Sequence, residues 1–144
     1  MASMADKLGH RGYIASRAVN GNRVPHHVQN LVVRDYANRH DLKYLLSATE
    51  MSPENCFIVL NDVLSGLDKI GGIILYSLFM LPKNFDARAR ICGLLLQNGK
   101  TLHAAVENIA IKTENDIQRL EEIFSLARVL DDCLPAKELD AWMN

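Results

Sequence analysis

The chain has no surplus of charge, no paired cysteines, no long apolar run and no glycine-rich phosphate loop, and each absence narrows what it does. Sixteen Lys and Arg stand against 17 Asp and Glu in 144 residues, a formal net charge of −1. Non-specific binding to a phosphate backbone draws on many cationic contacts, so nucleic acid is not the expected partner. Cys56, Cys92 and Cys133 are odd in number and far apart, with no C-x-x-C pair. Reduced thiols in a cytoplasmic protein are expected from that usage. The opening Met1-Ala-Ser-Met-Ala-Asp-Lys-Leu lacks the apolar stretch of a secretory signal. No apolar run approaches the ~20 residues that a membrane span needs, so no membrane partner is expected. Gly21 belongs to neither G-x-G-x-x-G nor G-x-x-x-x-G-K-[ST], which removes the basis for a dinucleotide site or a P-loop. No cofactor is expected. His26 and His27 are adjacent, so on a helix they point about 100° apart, and no H-x-x-x-H or Cys-His spacing exists. No metal site is expected.

What is present is an alternation of short apolar runs with helical periodicity. Gly12 to Ser16 predicts a first strand, followed by the polar loop Ser16, Arg17, Asn20, Gly21, Asn22, Arg23. Pro25 suits the first turn of a helix, and Val28, Leu31, Val32 and Tyr36 recur at helical spacing, leaving Gln29, Arg34 and Asn38 on the wet side. Residues 42–47 predict strand two, ending near Thr49 and Glu50. Ser52-Pro53-Glu54 combines a capping residue, a first-turn proline and an acid, and opens a helix with Phe57, Leu60, Val63, Leu64 and Leu67 inward. After Gly71-Gly72, the unbroken Ile73-Ile-Leu-Tyr-Ser77 predicts a strand buried on both faces, as in parallel sheets. Residues 86–97 predict the third helix, stopped by Asn98-Gly99. Thr101 to Val106 predicts strand four, with Glu107 and Asn108 at its end. Thr113-x-x-Asp116 resembles a capping box and opens a final helix to about Cys133, with Ile117, Leu120, Ile123, Phe124, Ala127 and Leu130 on one face.

The chain shows no repeats, low-complexity tracts or linkers, so one α/β domain over residues 11–134 is expected. A disordered lead-in, 1–10, precedes it, and a tail, 135–144, follows with Leu139, Trp142 and Met143. A single domain of this length buries roughly 70% of the surface its unfolded chain exposes. Four strands alternating with four helices imply right-handed crossovers and a three-layer sandwich around a four-stranded parallel sheet, order 2-1-3-4, Rossmann-like or flavodoxin-like, with a long C-terminal helix. In that order the switch point lies between strands one and three, where open α/β sheets bind ligands beyond the strand carboxyl ends.

Several motifs in one order carry a family resemblance: Arg11-Gly-Tyr-Ile-Ala-Ser-Arg, Val24-Pro-His-His-Val-Gln-Asn-Leu-Val-Val-Arg-Asp-Tyr, Leu45-Leu-Ser-Ala-Thr-Glu, Leu75-Tyr-Ser-Leu-Phe-Met-Leu-Pro, Ala105-Val-Glu-Asn and Asp116-Ile-Gln-Arg-Leu-Glu. Over about residues 11–130 the chain resembles the sporadic carbohydrate cluster proteins, a small bacterial family. The resemblance implies a gene that travels with surface-polysaccharide or other sugar-pathway genes, and it supplies no reaction. The chain is also distantly similar to serine recombinase catalytic domains, which begin with a strand reading Gly-Tyr-x-Arg-x-Ser. Here Ser16 precedes Arg17, and Tyr76-Ser77-Leu78-Phe79 stands where that family has Asp-Arg-Leu-x-Arg. No basic DNA-binding segment follows within these residues. That similarity therefore implies architecture and not DNA cleavage.

The candidate site collects the strand-end residues. Arg17 and Arg23 are expected to hold a carboxylate or sugar phosphate with help from the first helix's N-terminus, and Asn20, Asn22 and Gln29 to add contacts. Glu107 is the candidate general acid or base, with Ser16 and His26 as further catalytic candidates, because a carboxyl raised by apolar walls suits sugar chemistry. Glu50, Tyr76, Ser77, Phe79 and Asn108 complete the expected substrate contacts, and His103 is expected in the core. The function expected is a small enzyme of carbohydrate biosynthesis acting on a sugar or sugar-acid derivative. Two alternatives remain open. One is a ligand-binding or scaffold module working as a homo-oligomer through the last helix. The other is a nucleoside or glycoside hydrolase, although the Glu-x-x-x-Gly-x-Ala signature of that group is missing.

Overall fold

Five short strands are the frame on which the candidate residues hang: β1 (His10–Ala15), β2 (Tyr44–Glu50), β3 (Gly72–Leu75), β4 (Thr101–Ala104) and β5 (Ile109–Ile111). In the computed structural model, which describes residues 8–19, 22–51 and 56–133, they form one sheet of order β2-β1-β3-β4-β5. The first four pair in parallel, in the order 2-1-3-4 that the sequence predicts. The sheet is not purely parallel, however, because β5 pairs antiparallel to β4. Three residues are too few to show a period, and the hairpin turn before them has its signal in Asn108, whose φ of 56° is a left-handed conformation that asparagine tolerates.

Four α-helices accompany the sheet among the described residues: α1 (His26–Arg39), α2 (Ile58–Leu64), α3 (Phe85–Gln97) and α4 (Glu114–Cys133). Side chains alternate across a strand, and the core divides accordingly. Tyr13, Ala15, Ile73, Leu75, Leu102, Ala104 and Ile111 face the larger cluster with α2, α3 and Leu120 of α4. Their neighbours Ile14, Ile74 and Ala105 meet Val33, Tyr36 and Ala37 of α1 in a smaller one. The result is a three-layer arrangement with one helix on one face and three on the other. No helix among the described residues is long and apolar enough to cross a membrane.

Local chemistry sets the element ends. Asn84 Oδ1 accepts from Ala87 N at 3.1 Å to start α3, and Gly99, at φ +70°, follows its end. The Thr113–Asp116 box forms, with Asp116 N donating to Thr113 Oγ1 and Thr113 N to Asp116 Oδ2. Gly72 opens β3, where a Cβ would collide with Thr101 O of the neighbouring strand. The Ser52-Pro53-Glu54 start and the tail, 135–144, lie outside the described residues.

Three expectations shift. Residue 10, placed in the lead-in by sequence, already opens β1. β2 carries an extra residue between the pairs Arg11–Leu45 and Tyr13–Ala48, a bulge that pushes Leu46 out to 77% exposure and carries the strand on to Glu50. On α1 the buried line is Gln29, Val33, Tyr36 and Ala37, so Leu31 is exposed and Gln29 lies inside. The apolar residues at 28, 31, 32, 33, 36 and 37 fit two helical stripes about one residue apart. Gln29 decides between them through bonds to the backbone of β1.

Candidate functional site

The loop after β1 begins with two residues of opposite fate. Ser16 N donates to Glu50 O at 3.0 Å, carrying the parallel pairing one step past β1, and its side chain stays half-buried at the rim. Its Oγ lies 2.9 Å from His26 Nε2, on the first residue of α1. Val19 and Asn22 close the loop by reciprocal backbone bonds of 2.8 and 3.0 Å, with Asn22 and Arg23 exposed. Asn20 lies outside the described residues. Pro25 precedes α1 without any side-chain cap. In the tautomer protonated at Nδ1, His26 Nε2 accepts the Ser16 hydroxyl hydrogen, a geometry within reach of proton transfer.

Gln29, expected among the substrate contacts, spends its carboxamide on backbone groups. Its Oε1 accepts from Ala15 N at 3.1 Å, and its Nε2 donates to Ala15 O and Val24 O, both at 2.8 Å. At 1% exposure its carboxamide acts as a clip between β1 and the loop entering α1. Unmaking such buried bonds costs ~1–3 kcal/mol.

Arg17 also turns inward, to 8% exposure, and so does not present an anion site on the loop. Its Nη2 donates to Tyr13 Oη at 2.7 Å and Met80 O at 2.8 Å, its Nη1 to Cys56 O at 3.1 Å, and its guanidinium carbon lies 4.4 Å from the Phe57 ring centroid. Tyr13 passes the interaction on, donating to Glu50 Oε2 at 2.9 Å. Burial raises the Tyr13 hydroxyl well above the ordinary phenol range, against the lowering influence of Arg17, so the proton stays on Tyr13. Glu50, 1% exposed, spends its oxygens on the first turn of α2, with Val59 N at 3.1 Å on Oε1 and Leu60 N at 3.2 Å on Oε2. A carboxylate from β2 thus caps a helix whose own preceding residue, Phe57, offers no side-chain cap, favourable at a helix N-terminus.

The β3 end is tied from the other side. Ser77 Oγ donates to Glu107 Oε2 at 2.8 Å, Leu78 N donates to Glu107 Oε1 at 2.9 Å, and Phe79 N donates to Ser77 Oγ at 3.2 Å. Glu107 and Arg17 therefore grip the same 3₁₀ turn, Leu78–Met80, from the turn after β4 and the loop after β1 respectively. Phe79 packs against Phe124 of α4, centroids 5.2 Å apart, and Tyr76 is packed against both clusters. Asn108 forms the β4–β5 turn and accepts from His40, at the end of α1, at 3.1 Å, away from the expected contact with substrate.

The structure thus brings most expected residues to one rim but gives them unequal roles. Ser16, His26, Asn22 and Arg23 remain accessible, whereas Arg17, Gln29, Glu50, Ser77 and Glu107 hold segments together. Sequence reasoning missed Tyr13, the hinge of the buried network. Its four-residue spacing from Arg17, across a strand end, was the available signal. It also missed Asn61 and Arg90, which meet at 3.0 Å beside a cavity between α2 and α3. Among the described residues no group of three or more His, Cys, Asp or Glu is placed to hold a metal.

No protein-family model and no curated protein matches the chain. Among solved structures, it is similar to the crystal structure of a resolvase family site-specific recombinase from Streptococcus pneumoniae, at a TM-score of 0.59 and 11% identity, over 93% of this chain and 96% of that one. At that identity the likeness is one of fold. It agrees with the distant architectural similarity to serine recombinases, while the carbohydrate-cluster resemblance rests on the quoted motifs alone.

Proposed function

We propose that this chain is a small cytoplasmic enzyme of carbohydrate biosynthesis that acts on a sugar or sugar-acid derivative by acid/base chemistry, with Ser16 and His26 as the reacting pair. The observation that supports it is the 2.9 Å contact between Ser16 Oγ and His26 Nε2 at the carboxyl end of β1, beside a helix start with no side-chain cap. His26 Nε2 is the base and acts through Ser16, taking the hydroxyl hydrogen from Oγ as that oxygen takes the substrate's proton, and Arg23 with the first amides of α1 holds a carboxylate or phosphate. Glu107 keeps a structural role, because both of its oxygens already accept internal bonds. The sugar part of the proposal is supported by the sequence resemblance.

The experiment is a thermal-shift screen of sugar phosphates, nucleotide sugars and sugar acids, followed by turnover assays on each stabilising compound with wild type and His26→Gln. Loss of turnover by about 10²-fold or more in the variant, at unchanged stability, supports the reading. Equal turnover in both forms, or no stabilising compound in the sugar classes, removes it.

A second reading, a non-catalytic ligand-binding or scaffold module for partner enzymes of the same pathway, is favoured by a different observation. Glu50 and Glu107 both have their oxygens occupied, which also weakens a glycoside hydrolase, a class that needs two working carboxyl groups. Leu126, Val129 and Leu130 of α4 are exposed, which supports a homo-oligomer through that helix. Light scattering of wild type and Leu126→Glu tests this: a wild-type dimer that the variant splits is expected, and a monomeric wild type contradicts it.

A further inference from the structure

The starts of α2 and α3 lie at the carboxyl rim on the face of the sheet opposite α1, and beside them is an open cavity of about 470 Å³. Small-molecule sites typically occupy ~300–1,000 Å³. Phe57, Pro82 and Ile91 form its apolar walls, and the Phe57 ring is fixed by the buried Arg17 guanidinium, 4.4 Å from its centroid.

Its polar edge is one-sided. Asn84 Oδ1 is consumed by Ala87 N at 3.1 Å, and Asn61 Oδ1 by Arg90 Nη2 at 3.0 Å. What remains on Asn61, Asn84 and Arg90 is mainly N–H: both Nδ2 donors of each asparagine and the rest of the guanidinium, with no further partner among the described residues. Each asparagine thus has two free donors against one remaining lone pair, and a guanidinium has no acceptor at all. Among the described residues no carboxylate lines the cavity. Such an edge selects an acceptor-rich anion, for which the guanidinium fork is matched to a carboxylate, while the apolar walls select a body with a non-polar face.

From this we infer that the cavity between α2 and α3 binds a small ring-bearing carboxylic acid, aromatic or sugar-derived. The ring lies against Phe57 and Pro82, and the carboxylate meets Arg90, Asn61 and Asn84. The inference is independent of the Ser16–His26 pair, which sits on the other face of the sheet.

The test is a two-dimensional NMR titration of the full chain with benzoate and with D-glucuronate, the two sources of this chemistry, against acetate, which has no ring, and D-glucose, which has no charge. At least one acid is expected to shift the Asn61 and Asn84 side-chain amide and Arg90 Nε–H signals saturably, about tenfold or more tighter than acetate or glucose, as a charge-assisted contact plus ring burial requires. Asn61→Asp replaces a donor by an anion and should weaken binding about tenfold or more. Ala87→Leu fills the cavity and should abolish it, while Ser16→Ala leaves it unchanged. Circular dichroism checks that each variant is folded. The inference is overturned if neither acid binds the wild type, if acetate binds as well as the acids, or if folded Asn61→Asp binds as tightly as wild type.

Discussion

The two sides of the carboxyl rim differ in how much of their polar capacity is already used. Around β3, Arg17, Tyr13, Glu50, Ser77 and Glu107 bond to one another and to backbone groups. Around the β1–α1 loop, Ser16 and His26 share one contact at a half-buried edge, and Arg23 stands exposed. Position at a strand end therefore does not separate chemistry from scaffolding. A spent carboxylate stabilises a fold, whereas a spare pair at an accessible edge has capacity left for a substrate.

The largest expected effect falls on the saturated side. Glu50→Ala removes the acceptor for Tyr13 and for the first amides of α2 and leaves the Arg17 charge buried without its relay partner. A cost of ~3–5 kcal/mol is expected, at ~1–3 kcal/mol for each buried donor left without its acceptor, read from urea unfolding. A loss below about 1 kcal/mol, the level of an exposed pair, would break the contrast.

Next in size is an acid effect on the α1 face. His103 is buried between Tyr36 Oη, 2.7 Å from Nδ1, and Thr101 Oγ1, 2.9 Å from Nε2. Burial, followed by the charges of His10, Lys112 and His40, lowers it to about 3. The folded state therefore binds fewer protons than the unfolded chain, whose histidine titrates near 6.5. The contribution is complete above about pH 6.5 and is lost as pH falls toward 3, roughly 3 kcal/mol by pH 4. Unfolding free energies between pH 7 and 4 should fall more steeply for wild type than for His103→Asn. Parallel slopes would contradict the assignment.

Smaller still, Glu107→Gln should cost ~1–2 kcal/mol, since an amide oxygen still accepts from one of Ser77 Oγ and Leu78 N but not both. Ser16→Ala should change stability by less than ~0.5 kcal/mol, as for a surface site outside the packed core. A large stability loss in Ser16→Ala would place this residue among the clamps and erase the difference between the two sides.

Much of the frame was legible because it follows from periodicity. Ile73-Ile-Leu could only be a strand buried on both faces, and the Thr113–Asp116 box marked α4 correctly. What was not legible depended on contacts distant in sequence. Gln29 looks solvated until Ala15 and Val24 are placed beside it, and Arg17 looks like a loop cation until Tyr13, Cys56 and Met80 surround it. Glu50 reads as a strand-end acid, and only the start of α2, at Ile58, makes it a cap. β5 escaped because an edge strand of three residues has no period of its own.

The most direct test compares turnover and melting temperature in His26→Gln and Glu107→Gln, on the substrate found in the sugar screen. His26→Gln is expected to keep its melting temperature and lose turnover, while Glu107→Gln is expected to melt earlier and keep turnover. The opposite pairing, with Glu107→Gln inactive at full stability and His26→Gln active, would contradict that expectation.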